Sequence, residues 1–408
     1  MANAVVVGAG PLGATLAYLL ARNGVDVTLL ERQHDFARAF RGEVLMPSGV
    51  DALRQAGLGP TLDATPHVDV RRIDIFRRGA SILELPLAEL VAPGTEIRIT
   101  PQPELLESIV TAAEGPSFTV KRGARVRDVI EENGRIVGVT AKCDGEAFEV
   151  RANIVIGADG RGSVLRKKAG LADIRRSEAF DIVWCKAPSP TPYNQNPTTR
   201  FFLGDGHFMI CIPQYDGRLQ IGWVIRKGGF GELHSRGIEH WVRELAGQVS
   251  EDLGEHLLAH ADSVTDPFLL NVICYCLPRW TTAGLLLLGD AAHPMSPVGA
   301  QGLNVALRDA LVAANHLIPV LQSGARGDKI DAAAAAAERE RRPEIEQVQA
   351  LQRRGPRLLF GNPAVLGAAL RIAPWAAAFP PTRRLFRATA NTFLNGSVDV
   401  QLNPAFAR

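Results

Sequence analysis

Three glycines at fixed spacing, Gly8, Gly10 and Gly13, follow the apolar, β-branched run Val5-Val6-Val7. That pattern suits the close approach of a pyrophosphate. Gly8 permits a tight turn out of a buried strand, Gly10 lets backbone come near the phosphates, and Gly13 allows the next helix to pack on the strand. The helix that follows, Ala14 to Asn23, directs the free N–H groups of its N-terminus at the same place. A second strand, Val25 to Leu30, ends at Glu31, about 20 residues further on, where a carboxylate accepts hydrogen bonds from a ribose diol. The unit predicts a dinucleotide site in the first forty residues and leaves NAD and FAD both open.

Two distant segments repeat the device of an apolar strand ending in a glycine turn. Ile154-Val155-Ile156 runs into Gly157-Ala158-Asp159-Gly160 and then Arg161, Ser163 and Arg166. Leu285 to Leu288 runs into Gly289-Asp290-Ala291-Ala292-His293-Pro294 and on through Pro297-Val298-Gly299-Ala300-Gln301-Gly302-Leu303-Asn304. An aspartate at such a strand end can hydrogen-bond a sugar or ribityl hydroxyl. A helix N-terminus near Gly302 would stabilise negative charge on a reduced flavin ring.

In order and separation the three segments resemble the GxGxxG, DG and GD fingerprints of the para-hydroxybenzoate-hydroxylase-like (class A) FAD-dependent monooxygenases. The resemblance implies FAD as cofactor, with contacts from Gly8, Gly10, Pro11, Leu12, Gly13, Glu31, Arg32, Asp159, Gly160, Gly289, Asp290, Gly299 and Gly302. It implies main-chain contacts to the flavin from Leu303 and Asn304 and sets Pro297 beside the reactive face; His293, in the same motif, is either a second flavin-proximal candidate or a residue that holds the turn. Arg41 and Gln102 occupy positions where relatives touch the cofactor. Where many relatives carry a lysine in the GD series, this chain has the neutral Gln301.

No second strand-GxGxxG-helix unit occurs, so nicotinamide has no Rossmann domain of its own. The family's transient use of NADPH or NADH fits that pattern. The family chemistry then has reduced FAD combine with O2 to form a C4a-hydroperoxide, which hydroxylates or epoxidises an electron-rich aromatic or polyene molecule. The protein has to position that substrate, exclude water and in some cases take a phenolic proton. Tyr193, Tyr215, His207 and Tyr275 are of the right type for the proton, and none is singled out. A reductase or halogenase of the same fold, and a flavin binder without turnover, are the competing readings. The five tryptophans never fall in the WxWxIP spacing usual in flavin halogenases of this fold.

Elements must hold these residues together. The glycine motifs ask for a Rossmann-type α/β domain. Between them Arg71 to Arg77, Thr199 to Leu203, Phe208 to Ile212 and Arg218 to Arg226 alternate in polarity, which predicts an inserted antiparallel β-sheet substrate domain. Phe202, Phe208, Ile210, Ile212, Ile221 and Trp223 are expected on one face as a pocket wall, unless they pack on helices. The expected division is 1–71, 101–178 and 275–342 for FAD, 72–100 and 179–274 for substrate, and 343–408 as a C-terminal helical segment.

A chain of 408 residues suits roughly two or three domains. With 45 Lys+Arg against 43 Asp+Glu it has no basic surplus to recruit nucleic acid. The five cysteines are scattered without metal-ligand spacing, as in a reduced cytoplasmic protein, and no metal site is expected. No run reaches about 18 apolar residues. The mix of apolar residues and arginines beyond Pro356 leaves peripheral membrane contact open, with docking on the FAD domain the default.

Overall fold

A computed structural model describes residues 3–37, 42–89, 95–171, 178–204, 208–265, 267–354 and 390–407, with 368 and 372. Its first layer is a six-stranded sheet in the order Thr281–Thr282, Leu285–Leu287, Ile154–Gly157, Asn3–Val7, Asp26–Leu30, Phe118–Lys121. All pairs are parallel except the Thr281–Thr282 edge. The central strands are buried on both faces, which is why they read as continuous apolar runs. Register aligns Val7 with Gly157 and Gly157 with Leu287. The three glycine turns therefore leave one edge of the sheet side by side, at the carboxyl ends of its strands.

The helix Pro11–Arg22 follows the first turn, with Pro11 at its first position and Leu16, Leu19 and Leu20 fully buried. It packs against the helix Gln301–Gln322, which leaves the third turn. A further helix, Asp328–Gln352, runs unbroken through the alanine tract and through Pro343, where the C-terminal segment was expected to begin. Most of that segment, including 355–367 and 373–389, lies outside the described residues.

A three-stranded meander, Arg125–Glu132, Arg135–Cys143 and Glu146–Arg151, packs beside this layer. Its two hairpins turn at Asn133-Gly134 and Asp144-Gly145. All four residues have positive φ, the hairpin geometry that such pairs favour.

The second large sheet has seven strands in the order Phe268–Leu270, Phe180–Pro188, Arg218–Arg226, Phe208–Pro213, Thr198–Leu203, Arg72–Arg77, Ala80–Pro86. It corrects the sequence reading twice. The pair Arg72–Arg77 with Thr198–Leu203 is parallel, whereas the other pairs are antiparallel. A connection of that length through the first layer places no local constraint on strand direction. The expected wall also divides between two faces. Phe208, Ile210 and Ile212 line a cavity, while Phe202, Ile221 and Trp223 belong to a core on the other side. Phe202 opposes Met209 and Trp223 opposes Met209 from the other neighbour, so all three project to the same side, away from Phe208. That second core is closed by Trp241, Leu245, Leu253 and Leu257 from the helices Ile238–Ala246 and Glu251–Ala259.

Candidate active site

One cavity of about 1140 Å³ runs from the glycine turns to the free face of the seven-stranded sheet. From the first motif Gly8, Gly10, Pro11, Leu12 and Gly13 line it, with Glu31 and Arg32 from the next strand end. Gly8 and Gly13 are sterically required. A Cβ on Gly13 would sit 1.9 Å from the Gly8 carbonyl oxygen, and Gly8, at φ +99°, would place one 2.4 Å from that of Ala158. At Gly10 the equivalent space is open. Glu31 is buried and fixes this turn, accepting the Ala9 N–H at 2.8 Å on one oxygen and the Gln33 N–H at 3.0 Å on the other.

Asp159 and Gly160 line the cavity from the second motif. Asp159 Oδ2 accepts the N–H groups of Val164 and Leu165 at 2.7 and 3.2 Å, which holds the start of the short helix Val164–Lys168. Its Oδ1 is buried with no hydrogen-bond partner among the described residues, and burial raises the carboxyl above its ordinary range. Arg161 joins this motif to the third through Asp290, 3.3 Å away. Gly289, Asp290, Pro297, Gly299, Gly302 and Leu303 complete the lining from the third motif, and Gln102 adds its side chain while donating to the Gly42 carbonyl at 3.0 Å.

Some expected residues stand elsewhere. His293 is fully buried away from the cavity, with Nε2 2.8 Å from Asp309 Oδ2 and its ring 4.7 Å from that of Trp280. Asp309 also meets Arg341 Nε at 2.7 Å, and Glu344 connects Arg341 to Arg308. Burial disfavours the Asp309 charge, but His293 and Arg341 outweigh it and hold the carboxyl below its ordinary range. His293 therefore anchors the turn and does not line the cavity. Whereas the contact expected of Asn304 is through its main chain, its side chain is held within the protein, its Oδ1 accepting the Met46 N–H at 2.8 Å and its amide donating to the Ala300 and Val44 carbonyls. It ties the strand Val44–Leu45 to the mouth of the helix. Gln301 donates to the Gly299 and Phe393 carbonyls, both at 2.7 Å. Arg41 and His207 lie outside the described residues.

The tyrosines do not line the cavity either. Tyr193 donates to Asp252 at 2.8 Å beneath the sheet, where burial pushes its phenol up to about 12. Tyr215 donates to Glu104 on the surface, and Tyr275 packs under the Arg166 guanidinium. Sequence reasoning missed Glu43, Trp184, Ile182 and Gln220, all of which line the cavity. The alternation of Ile182 and Trp184 along one strand was the available signal. For Glu43 there was none, because a buried and a solvated glutamate read alike.

These features fit FAD. The parallel sheet presents three aligned glycine turns, open space at Gly10, a buried acceptor without a partner at Asp159 and a long apolar extension. They define a flavin-binding oxidoreductase. Comparison with known proteins agrees. Residues 1–351 match the FAD binding domain family. A 6-methylpretetramide 4-monooxygenase from Streptomyces rimosus is 35% identical over 374 residues, covering 89% of this chain and 85% of its own. A ubiquinone hydroxylase, UbiL, from Rhodospirillum rubrum is 29% identical over 340 residues, 79% of this chain and 74% of its own. The fold of p-nitrophenol 4-monooxygenase PnpA from Pseudomonas putida superposes with a TM-score of 0.81 at 20% identity, over 98% of this chain and 99% of that one. The chain belongs to the FAD binding domain family and is an FAD-dependent monooxygenase of the class A type.

Proposed function

We propose that this enzyme hydroxylates an electron-rich aromatic small molecule, using NADPH or NADH as a transient reductant and O2 as co-substrate. The observation that carries the reading is the continuity of the cavity, from glycine turns suited to FAD to an apolar wall of Phe201, Ile210, Ile212, Trp184 and Val224. Relatives named for 6-methylpretetramide and for 3-amino-4-hydroxybenzoate support an aromatic substrate.

In this reading Gly8, Gly10, Gly13, Glu31 and Arg32 hold the adenosine and pyrophosphate half of FAD. Asp159 accepts a cofactor hydroxyl through its open oxygen, Asp290 and Gln102 lie along the linker, and Pro297 to Leu303 face the ring. Bound FAD supplies electron transfer from the nicotinamide and delivery of one oxygen atom to the substrate. The chain supplies the rest. The start of the helix Gln301–Gln322 favours negative charge beside it, and the apolar wall excludes water and orients the aromatic ring. The absence of a second dinucleotide motif supports transient nicotinamide binding. The five free cysteines support a cytoplasmic setting. No helix among the described residues is long and apolar enough to cross a membrane.

The test follows NADH and NADPH oxidation together with oxygen uptake by the FAD-loaded protein against a panel of phenols, hydroxyquinolones and polyenes. The reading expects one aromatic class to accelerate both in parallel. Turnover that proceeds equally well without oxygen would favour a reductase, such as the digeranylgeranylglycerophospholipid reductase at 27% identity.

A further inference from the structure

The cavity wall contributed by the seven-stranded sheet is apolar except at one end. Glu43, 7% exposed, lies just before the strand Val44–Leu45 and lines the cavity there. Its Oε1 is 3.8 Å from the Lys186 ammonium, and its Oε2 is buried with no hydrogen-bond partner among the described residues. Gln220 stands directly opposite Lys186 in the antiparallel ladder, so their side chains share a face. Gln220 also lines the cavity, is 1% exposed, and has an amide nitrogen without a partner among the described residues. A buried acceptor and a buried donor left open in the same wall form a polar end fitted to a ligand that brings its own hydroxyl and carbonyl.

Described residues lining the cavity include no histidine, tyrosine, lysine or cysteine. The other charged lining groups, Glu31, Arg32, Arg125, Arg127, Asp159, Arg161 and Asp290, belong to the glycine-turn end or the meander beside it. Glu43 is thus the titratable group that the sheet end offers to a substrate.

We propose that Glu43 is a catalytic residue of this enzyme, taking the hydroxyl proton of a hydroxylated aromatic substrate on Oε2 while Lys186 stays charged beside it. The inference rests on the aromatic-substrate reading above. In the step the substrate O–H bond breaks and an H–Oε2 bond forms. The electron pair stays on the substrate oxygen and raises electron density at the ring carbons ortho and para to it, the positions that receive oxygen. Negative charge passes from carboxylate to phenolate, so no net charge is created in the apolar cavity. Burial pushes the Glu43 carboxyl up to about 7 against the pull of Lys186, with Asp216 and Glu104 adding to the rise. The Tyr215 phenol, also raised, stands near the same cluster. A carboxyl titrating near neutrality is a stronger base than an ordinary one and is still ionised in half or more of the molecules at neutral pH.

The test uses FAD-loaded, unreduced protein and 2-naphthol, an aromatic alcohol that is neutral in water at about pH 8 and changes its near-ultraviolet band on ionising. A pH indicator counts protons delivered to the buffer. The proposal expects part of the bound naphthol to be ionised with no proton released, because Glu43 keeps it. In Glu43→Gln, any ionisation that Lys186 still drives releases one proton per naphtholate. A wild-type protein that releases one proton per naphtholate, or that leaves bound naphthol wholly neutral, overturns the assignment, and the wild-type count decides this even where the variant does not fold. Failure of naphthol to bind at all contradicts the aromatic-substrate reading, and the assignment falls with it. In turnover, kcat/KM for a weakly acidic phenol rises with pH through about 7 in the wild type. Glu43→Gln loses that limb and about 100-fold in rate, while a phenol already ionised in solution is spared. An equal loss on both phenols points to a structural role and contradicts the proposal.

Discussion

Glu31 and Glu43 are both buried glutamates on the wall of one cavity, and their surroundings set them to different tasks. Glu31 accepts backbone N–H groups on both oxygens, whereas Glu43 has a lysine at 3.8 Å on one oxygen and, among the described residues, no hydrogen-bond partner on the other. The first is a fixed brace and the second a reactive group. Because the folded protein holds the Glu43 proton more tightly than the unfolded chain does, Glu43 weakens the fold as pH rises from 4.5 to about 7. Glu43→Gln should remove that penalty, gaining up to roughly 3 kcal/mol over the wild type above neutrality and little at low pH. Urea unfolding at several pH values measures it, and a variant less stable at every pH contradicts it. Asp309 behaves in the opposite sense. Its depressed carboxyl contributes stability above the ordinary carboxylate range, lost as pH falls through the folded value. Asp309→Ala strands Arg341 and His293 in the core and should cost about 3–5 kcal/mol in urea unfolding at neutral pH.

At the scale of elements, the glycine-turn strands were legible in the sequence and the sheet faces were not. A turn motif is local: Gly8, Gly10 and Gly13 announce the strand before them and the helix after them within a dozen residues. The single face expected for Phe202, Phe208, Ile210, Ile212, Ile221 and Trp223 splits in two, with Phe202 and Trp223 packed on helices, because alternation fixes which residues share a face within a strand, and the register between strands decides which faces match. That register follows from pairings between residues as distant as Arg72 and Thr198. Of the two roles open to His293 in the sequence, holding the turn is the one favoured by its partner Asp309, which comes from the following helix. The corrected faces separate two kinds of substitution. Trp223→Ala, which removes a ring 4.9 Å from Trp241, should lower stability by about 3–5 kcal/mol. Ile210→Ala on the cavity face should raise KM for the aromatic substrate with a smaller loss of stability. Matched thermal unfolding and steady-state kinetics distinguish the two, and the reverse pattern would contradict the face assignment.

Across the whole molecule, two sheets of different construction share one cavity. The parallel sheet presents three glycine turns at a single edge, and the second sheet closes over the far end with an apolar face and one polar corner. Oxygen chemistry needs both: a flavin held at the edge, and a substrate ring kept dry against the wall. On the proposed function, one oxygen atom from O2 enters an aromatic substrate in this cavity. The most direct measurement runs turnover with NADPH or NADH under isotopically heavy oxygen gas in ordinary water and weighs the product. The expected product carries one heavy oxygen atom for each nicotinamide oxidised in coupled turnover. A product that takes its oxygen only from water, or substrate reduced with no oxygen gained, would contradict it.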